Sequence, residues 1–198
     1  MYNLSKMPEF MPNIESIPSK IPTKAKKPTV CFIGRLDKRK RPELFIKLAD
    51  KFPGLDFIVV GKAEESARQH KLERLAKKYK NISMLGYVDK FDSKRLYDVY
   101  NKSWILINTS AREGLPLTFV EAAGRGCAIL SYANPDDFAS KFGFWAKNEN
   151  FEEGLRILLR NNYWEMQGIK GFNYVKRIYS EKNSLNTHLK LYKKLRSM

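Results

Sequence analysis

Two glutamates flank a turn in residues 109–126, which read TSAREGLPLTFVEAAGRG. Glu113 precedes the turn, and Glu121 follows it in a segment whose small and apolar residues predict a helix. Carboxylates accept hydrogen bonds from vicinal hydroxyl groups, and a helix N-terminus offers amide donors and a positive dipole end to a phosphate. The pair therefore suits a ligand with phosphate in its middle and hydroxyls at both ends.

A purely structural role competes for Glu121. Thr118 fits an N-cap, and Thr118 with Glu121 three residues later matches the capping-box pattern. Glu121 and Arg125 also have the spacing of an i,i+4 helical pair. Neither pattern explains Glu113, which precedes the cap. The sequence leaves Glu121 open between a helix cap and a ligand contact.

A second group of candidate residues lies in the stretch FIGRLDKRKRPE, residues 32–43. Gly34 would allow close backbone approach after a strand, with Arg35 and Lys40 just beyond it. A guanidinium and an ammonium group together can neutralise a diphosphate leaving group. The alternative is a solvated basic turn, or a run of the nuclear-localisation type, since a short basic run such as KRKR often matches such patterns by chance.

The elements that must position these residues are short apolar runs alternating with amphipathic segments. We predict strands at TVCFIG, LDFIVVG, NISMLG, WILINTS and AILSY, and helices between them and from residue 151 onward. Strands rich in Ile, Val and Leu with intervening helices favour a parallel sheet covered on both faces. Ligands bind such sheets at the carboxyl ends of the strands, where both candidate groups are expected.

Composition excludes some classes of protein but does not identify the binding partner. The 198 residues contain no apolar run near the roughly 18 residues that span a bilayer, and the start of the sequence has no signal-type apolar core. Cys31 and Cys127 are predicted to be reduced core thiols of a cytoplasmic protein. The net charge of +16 would attract phosphate, nucleic acid or anionic lipid.

Residues 1–28 contain five prolines and no sustained periodicity, so we expect a linker or an N-terminal interdomain segment, followed by one domain over residues 29–198. Three stretches, GRLDKRK, GYVDKFDSKRLYDVYNKSWILINTS and EGLPLTFVEA, resemble the nucleotide-sugar half of the group 1 (family 4) glycosyltransferases. These are retaining enzymes of the GT-B fold. The resemblance implies an α/β class, namely a Rossmann-like doubly wound parallel sheet with helices on both faces, one half of a GT-B enzyme.

The resemblance also implies roles for individual residues. Arg35 and Lys40 would hold the donor diphosphate, and Glu113 would bind hydroxyls of the transferred sugar, so these three form the expected catalytic set. Glu121 would bind the ribose. The remaining donor contacts would come from Gly34, from Tyr87 and Val88 as the wall of the base pocket, and from the backbone of Gly114, Leu115, Pro116, Leu117 and Thr118.

The implied activity is transfer of a hexosyl unit from a UDP-sugar or GDP-sugar to a glycan or lipid-linked acceptor in polysaccharide biosynthesis, with no required metal or other cofactor. The acceptor-binding half is expected elsewhere in a full-length chain or on a partner subunit, so this chain alone should bind donor and transfer poorly. Peripheral contact with an anionic membrane face is expected, and nucleic-acid binding is not. The alternatives are a non-catalytic interaction module of the same fold or a basic nucleic-acid-binding domain.

Overall fold

A six-stranded parallel sheet forms the centre of the protein. The structure, a computed structural model, describes residues 9–89 and 93–197. The strands are β1 Thr29–Ile33, β2 Asp56–Val60, β3 Ile82–Met84, β4 Ile105–Asn108, β5 Ala128–Ser131 and β6 Gly143–Trp145. Their spatial order is β3-β2-β1-β4-β5-β6, with every neighbouring pair parallel. This is the doubly wound Rossmann order, so the predicted α/β class is confirmed.

Helices cover both faces of the sheet. They are α1 Pro42–Lys51, α2 Ser66–Ala76, α3 Ser93–Lys102, α4 Leu117–Ala123, α5 Phe138–Lys141, α6 Phe151–Leu159, α7 Tyr163–Tyr179 and α8 Glu181–Arg196. Short 3₁₀ turns precede α5 and α7, at Pro135–Asp137 and Arg160–Asn162. Among the described residues, none of these helices combines the length and the apolar character needed to cross a bilayer.

The sheet divides the core into two apolar clusters. Along β1, Val30 and Phe32 pack on one face with Phe45 and Phe57, whereas Cys31 packs on the other face. Because side chains alternate across a strand, the continuous apolar runs supply both clusters at once. Cys31 and Cys127 are fully buried free thiols, and burial raises the pKa of both, so the prediction of core cysteines is confirmed.

Residues 9–28, which we call the leading segment, run over the outside of this domain. Asn13 O accepts a hydrogen bond from Ser184 Oγ of α8 at 3.1 Å, and Glu15 N donates to Tyr179 O of α7 at 2.8 Å. Farther along, Trp104 Nε1 donates to Ala25 O at 2.8 Å. The leading segment therefore contacts α8, the end of α7 and the start of β4 in turn.

Candidate functional site

The carboxyl ends of β1, β2 and β3 are held together by backbone hydrogen bonds between their glycine turns. Gly34 N donates to Val60 O at 3.0 Å, and Gly61 N donates to Gly86 O at 2.8 Å. Gly61 has φ +135°, and a Cβ atom there would overlap the carbonyl oxygen of Gly34. Only glycine permits this approach, which brings three loops to one edge of the sheet.

A cavity of about 500 Å³, which we call the inner cavity, opens at this edge between the strand ends and the start of α4. Its apolar floor includes Ile33, Val60 and Leu96. The residues predicted from sequence that line it are Gly34, Arg35, Tyr87, Val88, Thr118 and Glu121. Residues far apart in the sequence therefore meet at the switch point of the sheet, where a doubly wound fold binds its ligands.

Glu121 faces the inner cavity and is held from behind by Tyr100. The Tyr100 hydroxyl donates to Glu121 Oε2 at 2.7 Å. Burial raises the pKa of Tyr100 well above its ordinary value, and the charge of Glu121 raises it further. The phenol therefore stays protonated, fixes one carboxylate oxygen and orients the group toward the cavity.

The capping-box interpretation of Glu121 is wrong. Helix α4 begins at Leu117, and its N-cap is Pro116 with φ −68° and ψ 137°, without a side-chain cap hydrogen bond. Proline takes this extended conformation readily, so the helix begins two residues earlier than a Thr118 cap requires. Thr118 then lies inside the first turn and lines the cavity.

A second cavity of similar volume, about 500 Å³, lies beside the first and shares Arg35 with it. This outer cavity is lined by Arg35, Arg39, Lys40, Arg112, Glu113 and Gly114. Its basic side chains give it a strongly positive potential, which favours an anionic ligand such as a phosphate group. The two cavities adjoin at Arg35, which lines both.

In the outer cavity, Lys40 Nζ forms an ion pair with Glu113 Oε1, and Asn108 Nδ2 donates to the same oxygen at 3.4 Å. Burial acts to raise the pKa of Glu113, but the hydrogen bonds, chiefly from Lys40, and the Lys40 charge together leave that pKa lowered. Glu113 is therefore a carboxylate at neutral pH, able to accept hydrogen bonds from hydroxyl groups.

Among the described residues, the Arg35 side chain forms ion pairs with the partly exposed Asp37 and the exposed Glu64. Its guanidinium lies 3.1 Å from Asp37 Oδ2 and 3.7 Å from Glu64 Oε1, and its side chain is 56% exposed. Exposed ion pairs contribute about 0–1 kcal/mol each, so little free energy is needed to turn this side chain toward a ligand.

The structure does not bring every predicted contact residue to a cavity. Leu115, Pro116 and Leu117 do not line either one. Leu115 packs against the apolar cluster around Phe119, and the Leu117 side chain points outward with 47% exposure. Any contribution of these three to a ligand would have to come from their backbone.

Several residues of the site were not identified from the sequence as ligand contacts or as supports for them. Lys62 lies in the inner cavity with its Nζ 5.5 Å from the ring centroid of Tyr87. Tyr100 follows Leu96 by one helical turn on the apolar face of α3, a pattern that predicts a buried tyrosine whose hydroxyl needs a partner. Arg39 and Arg112 sit beside residues that were identified, but surface arginines are too common for spacing alone to select them.

The fold is a doubly wound α/β domain with two adjoining cavities at the carboxyl edge of its sheet. Comparison with known proteins gives the family. The family described as "Glycosyl transferases group 1" matches residues 13–166, more than half of the chain. The chain therefore belongs to the group 1 glycosyl transferases. Within the described residues, no group of three His, Cys, Asp or Glu side chains is placed to hold a metal ion.

Two curated relatives of this chain are named as enzymes that transfer sugars. The chain is 36% identical over 104 residues to the O-antigen biosynthesis glycosyltransferase WbnH of Escherichia coli, covering 51% of this chain and 27% of that protein. It is 28% identical over 88 residues to a poly(glycerol-phosphate) alpha-glucosyltransferase of Bacillus subtilis, covering 44% and 12%. The matched part thus spans about a quarter or less of the length of these two relatives.

Solved structures confirm the fold. Sucrose-phosphate synthase from Thermosynechococcus elongatus superposes with a TM-score of 0.76 at 18% identity, covering 94% of this chain and 52% of that one. The pneumococcal O-GlcNAc transferase GtfA, in complex with UDP and GlcNAc, superposes with a TM-score of 0.72 at 16% identity, covering 92% and 38%. The predicted Rossmann-like half of a GT-B glycosyltransferase is confirmed.

Proposed function

We propose that this chain is the donor-binding part of a retaining glycosyltransferase, which binds a nucleoside-diphospho-sugar and stabilises the diphosphate as it leaves. The observation that carries the proposal is the pair of joined cavities at the switch point of the sheet. One cavity offers a carboxylate and an aromatic wall, the other offers clustered cations and a second carboxylate, and Arg35 lies between them.

The inner cavity suits the nucleoside. Glu121, with one oxygen fixed by Tyr100, is expected to accept hydrogen bonds from the ribose hydroxyls through its remaining lone pairs. Tyr87 and Val88 are expected to flank the base. Gly34 and Thr118 both line this cavity and would let the backbone approach the donor closely.

The outer cavity suits the diphosphate and the sugar. Arg35 and Lys40 are expected to neutralise the diphosphate, and Glu113 to bind hydroxyls of the sugar, with backbone contacts from residues 114–118. Stabilising the charge that develops on the leaving diphosphate lowers the barrier to breaking its bond to the anomeric carbon. When Lys40 turns to the phosphate, the Glu113 carboxylate becomes available to the sugar.

The names of the similar proteins guide the choice of donor and acceptor. GtfA was solved with UDP and GlcNAc, and Anabaena Alr3699/HepE with UDP-glucose, so a UDP-hexose is the first donor to test, followed by a GDP-sugar. The names of an O-antigen biosynthesis glycosyltransferase and a poly(glycerol-phosphate) alpha-glucosyltransferase among the relatives support a glycan or another polymer as the acceptor. A lipid-linked acceptor at the cytoplasmic face of a membrane is the other expectation.

The acceptor site is expected outside this chain. It would lie in the rest of a longer polypeptide or on a second subunit, and a GtfA/B complex among the similar structures is an assembly of two different components. The 198 residues alone are therefore expected to bind donor while transferring sugar poorly or not at all.

Calorimetric titration with UDP, GDP and ADP tests the proposal on the wild-type chain, Arg35→Ala and Glu121→Gln. One diphosphate should bind, and each variant should bind it at least about tenfold more weakly, the change expected when a hydrogen bond to a charged group is lost. Arg74→Ala removes an equal charge from an exposed position on α2 and should bind like the wild type. If none of the three nucleotides bound, the proposal would fail, and a non-catalytic interaction module would remain.

A further inference from the structure

Arg41 has a backbone conformation that arginine rarely takes. It lies between Lys40 and helix α1, with φ 49° and ψ 48°, in the left-handed region. This conformation destabilises a non-glycine residue by roughly 1–2 kcal/mol. The side chain carries a second disadvantage, since its Nη2 atom is buried without a hydrogen-bond partner among the described residues.

The guanidinium of Arg41 is nevertheless held from several directions. Its Nε donates to Thr109 O at 2.6 Å, and its Nη1 pairs with Glu149. The guanidinium carbon lies 4.7 Å from the ring centroid of Tyr132, and the side chain is only 23% exposed. Arg41 therefore fastens the end of β4 to the start of α1.

Hydrogen bonds to backbone carbonyl oxygens extend this connection to both walls of the outer cavity. Thr109 Oγ1 lies 2.6 Å from Lys40 O and 2.9 Å from Arg41 O. Ala111 N donates to Arg39 O at 3.0 Å. Residues 39–41 and 109–111 thus form one cross-linked unit, with Lys40 projecting from one side and Glu113 following on the other.

We propose that Arg41 and Thr109 are positioning residues for the diphosphate and sugar end of the donor, an inference that rests on the proposed function. Neither residue lines a cavity, so both act through Lys40 and Glu113 rather than by touching the ligand. A strained backbone and an unpaired buried nitrogen are tolerated where geometry matters more than stability. Holding the backbone that carries Lys40 at a fixed separation from the backbone that leads to Glu113 is such a purpose.

Arg41→Gly separates positioning from folding. Glycine adopts the left-handed backbone without strain, which offsets the lost side-chain contacts, so the melting temperature should stay within about 3 °C of the wild type. Titration with UMP, UDP and UDP-glucose is the measurement, or the guanosine series if the wild type prefers GDP. Affinity for UDP-glucose should fall about tenfold. Affinity for UMP, which is expected to bind mainly in the inner cavity, should change less than about twofold.

Thr109 provides a matched pair of variants. Thr109→Val keeps the shape of the side chain but removes the hydroxyl that joins the two loops, and it should show the same selective loss for UDP-glucose. Thr109→Ser restores the hydroxyl and should recover most of the affinity.

Two results would overturn the positioning role. Equal losses for UMP and UDP-glucose would indicate a general structural effect. Unchanged UDP-glucose affinity in both Arg41→Gly and Thr109→Val would show that the cross-link is not needed. In both cases wild-type binding would leave the proposed function standing. A wild-type chain that bound no nucleotide would overturn the proposed function and this inference together.

Discussion

The ion pair between Lys40 and Glu113 joins two residues that the sequence assigned to separate parts of a ligand. The pKa of Glu113 is lowered in the folded protein, so its interactions stabilise the fold above the pKa of the unfolded carboxyl. That contribution is lost as the pH falls through the lowered folded pKa. The free energy of unfolding is therefore linked to pH through this site.

Glu113→Gln tests this linkage. The variant should melt below the wild type at pH 7, and the gap should narrow as the pH falls below about 4, where the unfolded carboxyl is protonated. Thermal melts at several pH values are the measurement. Glu152→Gln, whose partner Arg156 is on the exposed surface of α6, should change the melting temperature little. If the difference in melting temperature between the wild type and Glu113→Gln stayed constant from pH 7 to pH 3, the prediction would be contradicted.

At the scale of single residues, the sequence indicated which side chains come together but not which contacts hold each of them in place. The Glu113 and Glu121 pattern and the Arg35 and Lys40 spacing placed these side chains at strand ends, and the structure brings them to two adjoining cavities. Their assigned roles remain predictions. The support of Glu121 by Tyr100 depends on packing between α3 and α4, and no local pattern specifies such a contact.

At the scale of elements, close contact between the glycine turns shapes the edge of the sheet. Gly61→Ala should destabilise the protein by about 2–4 kcal/mol, because the new Cβ would overlap the Gly34 carbonyl oxygen and the backbone has φ +135°. Urea unfolding is the measurement. Gly54→Ala is the control, since its Cβ would meet no atom within 4 Å. Equal stabilities of the two variants would show that the turns can separate without loss.

The strength of the local pattern decided which elements could be predicted. The five predicted strands are apolar runs bounded by turn residues, and all five are present. The edge strand β6, Gly143–Trp145, was missed, because its three residues begin with glycine and include no β-branched side chain. The break between α6 and α7 was also missed. It depends on left-handed backbone conformations at Asn161 and Asn162, which asparagine can adopt but usually does not.

At the scale of the whole molecule, the net charge of +16 favours contact with an anionic surface. The chain should sediment with vesicles containing phosphatidylserine at low salt and be released at about 0.5 M salt, where screening shortens electrostatic attraction to a few ångströms. Vesicles of phosphatidylcholine alone are the control. If the chain did not sediment with the phosphatidylserine vesicles at low salt, the expected membrane contact would be contradicted.

The leading segment determines how the domain would respond to a pulling force. From its start it is attached at Glu9 to Lys194, at Pro12 to His188, at Asn13 to Ser184 and at Glu15 to Tyr179, in that order. Tension applied ahead of residue 9 would load these attachments in sequence rather than all at the same time. The segment would therefore peel from α8 at low force, while the parallel sheet behind it stayed intact.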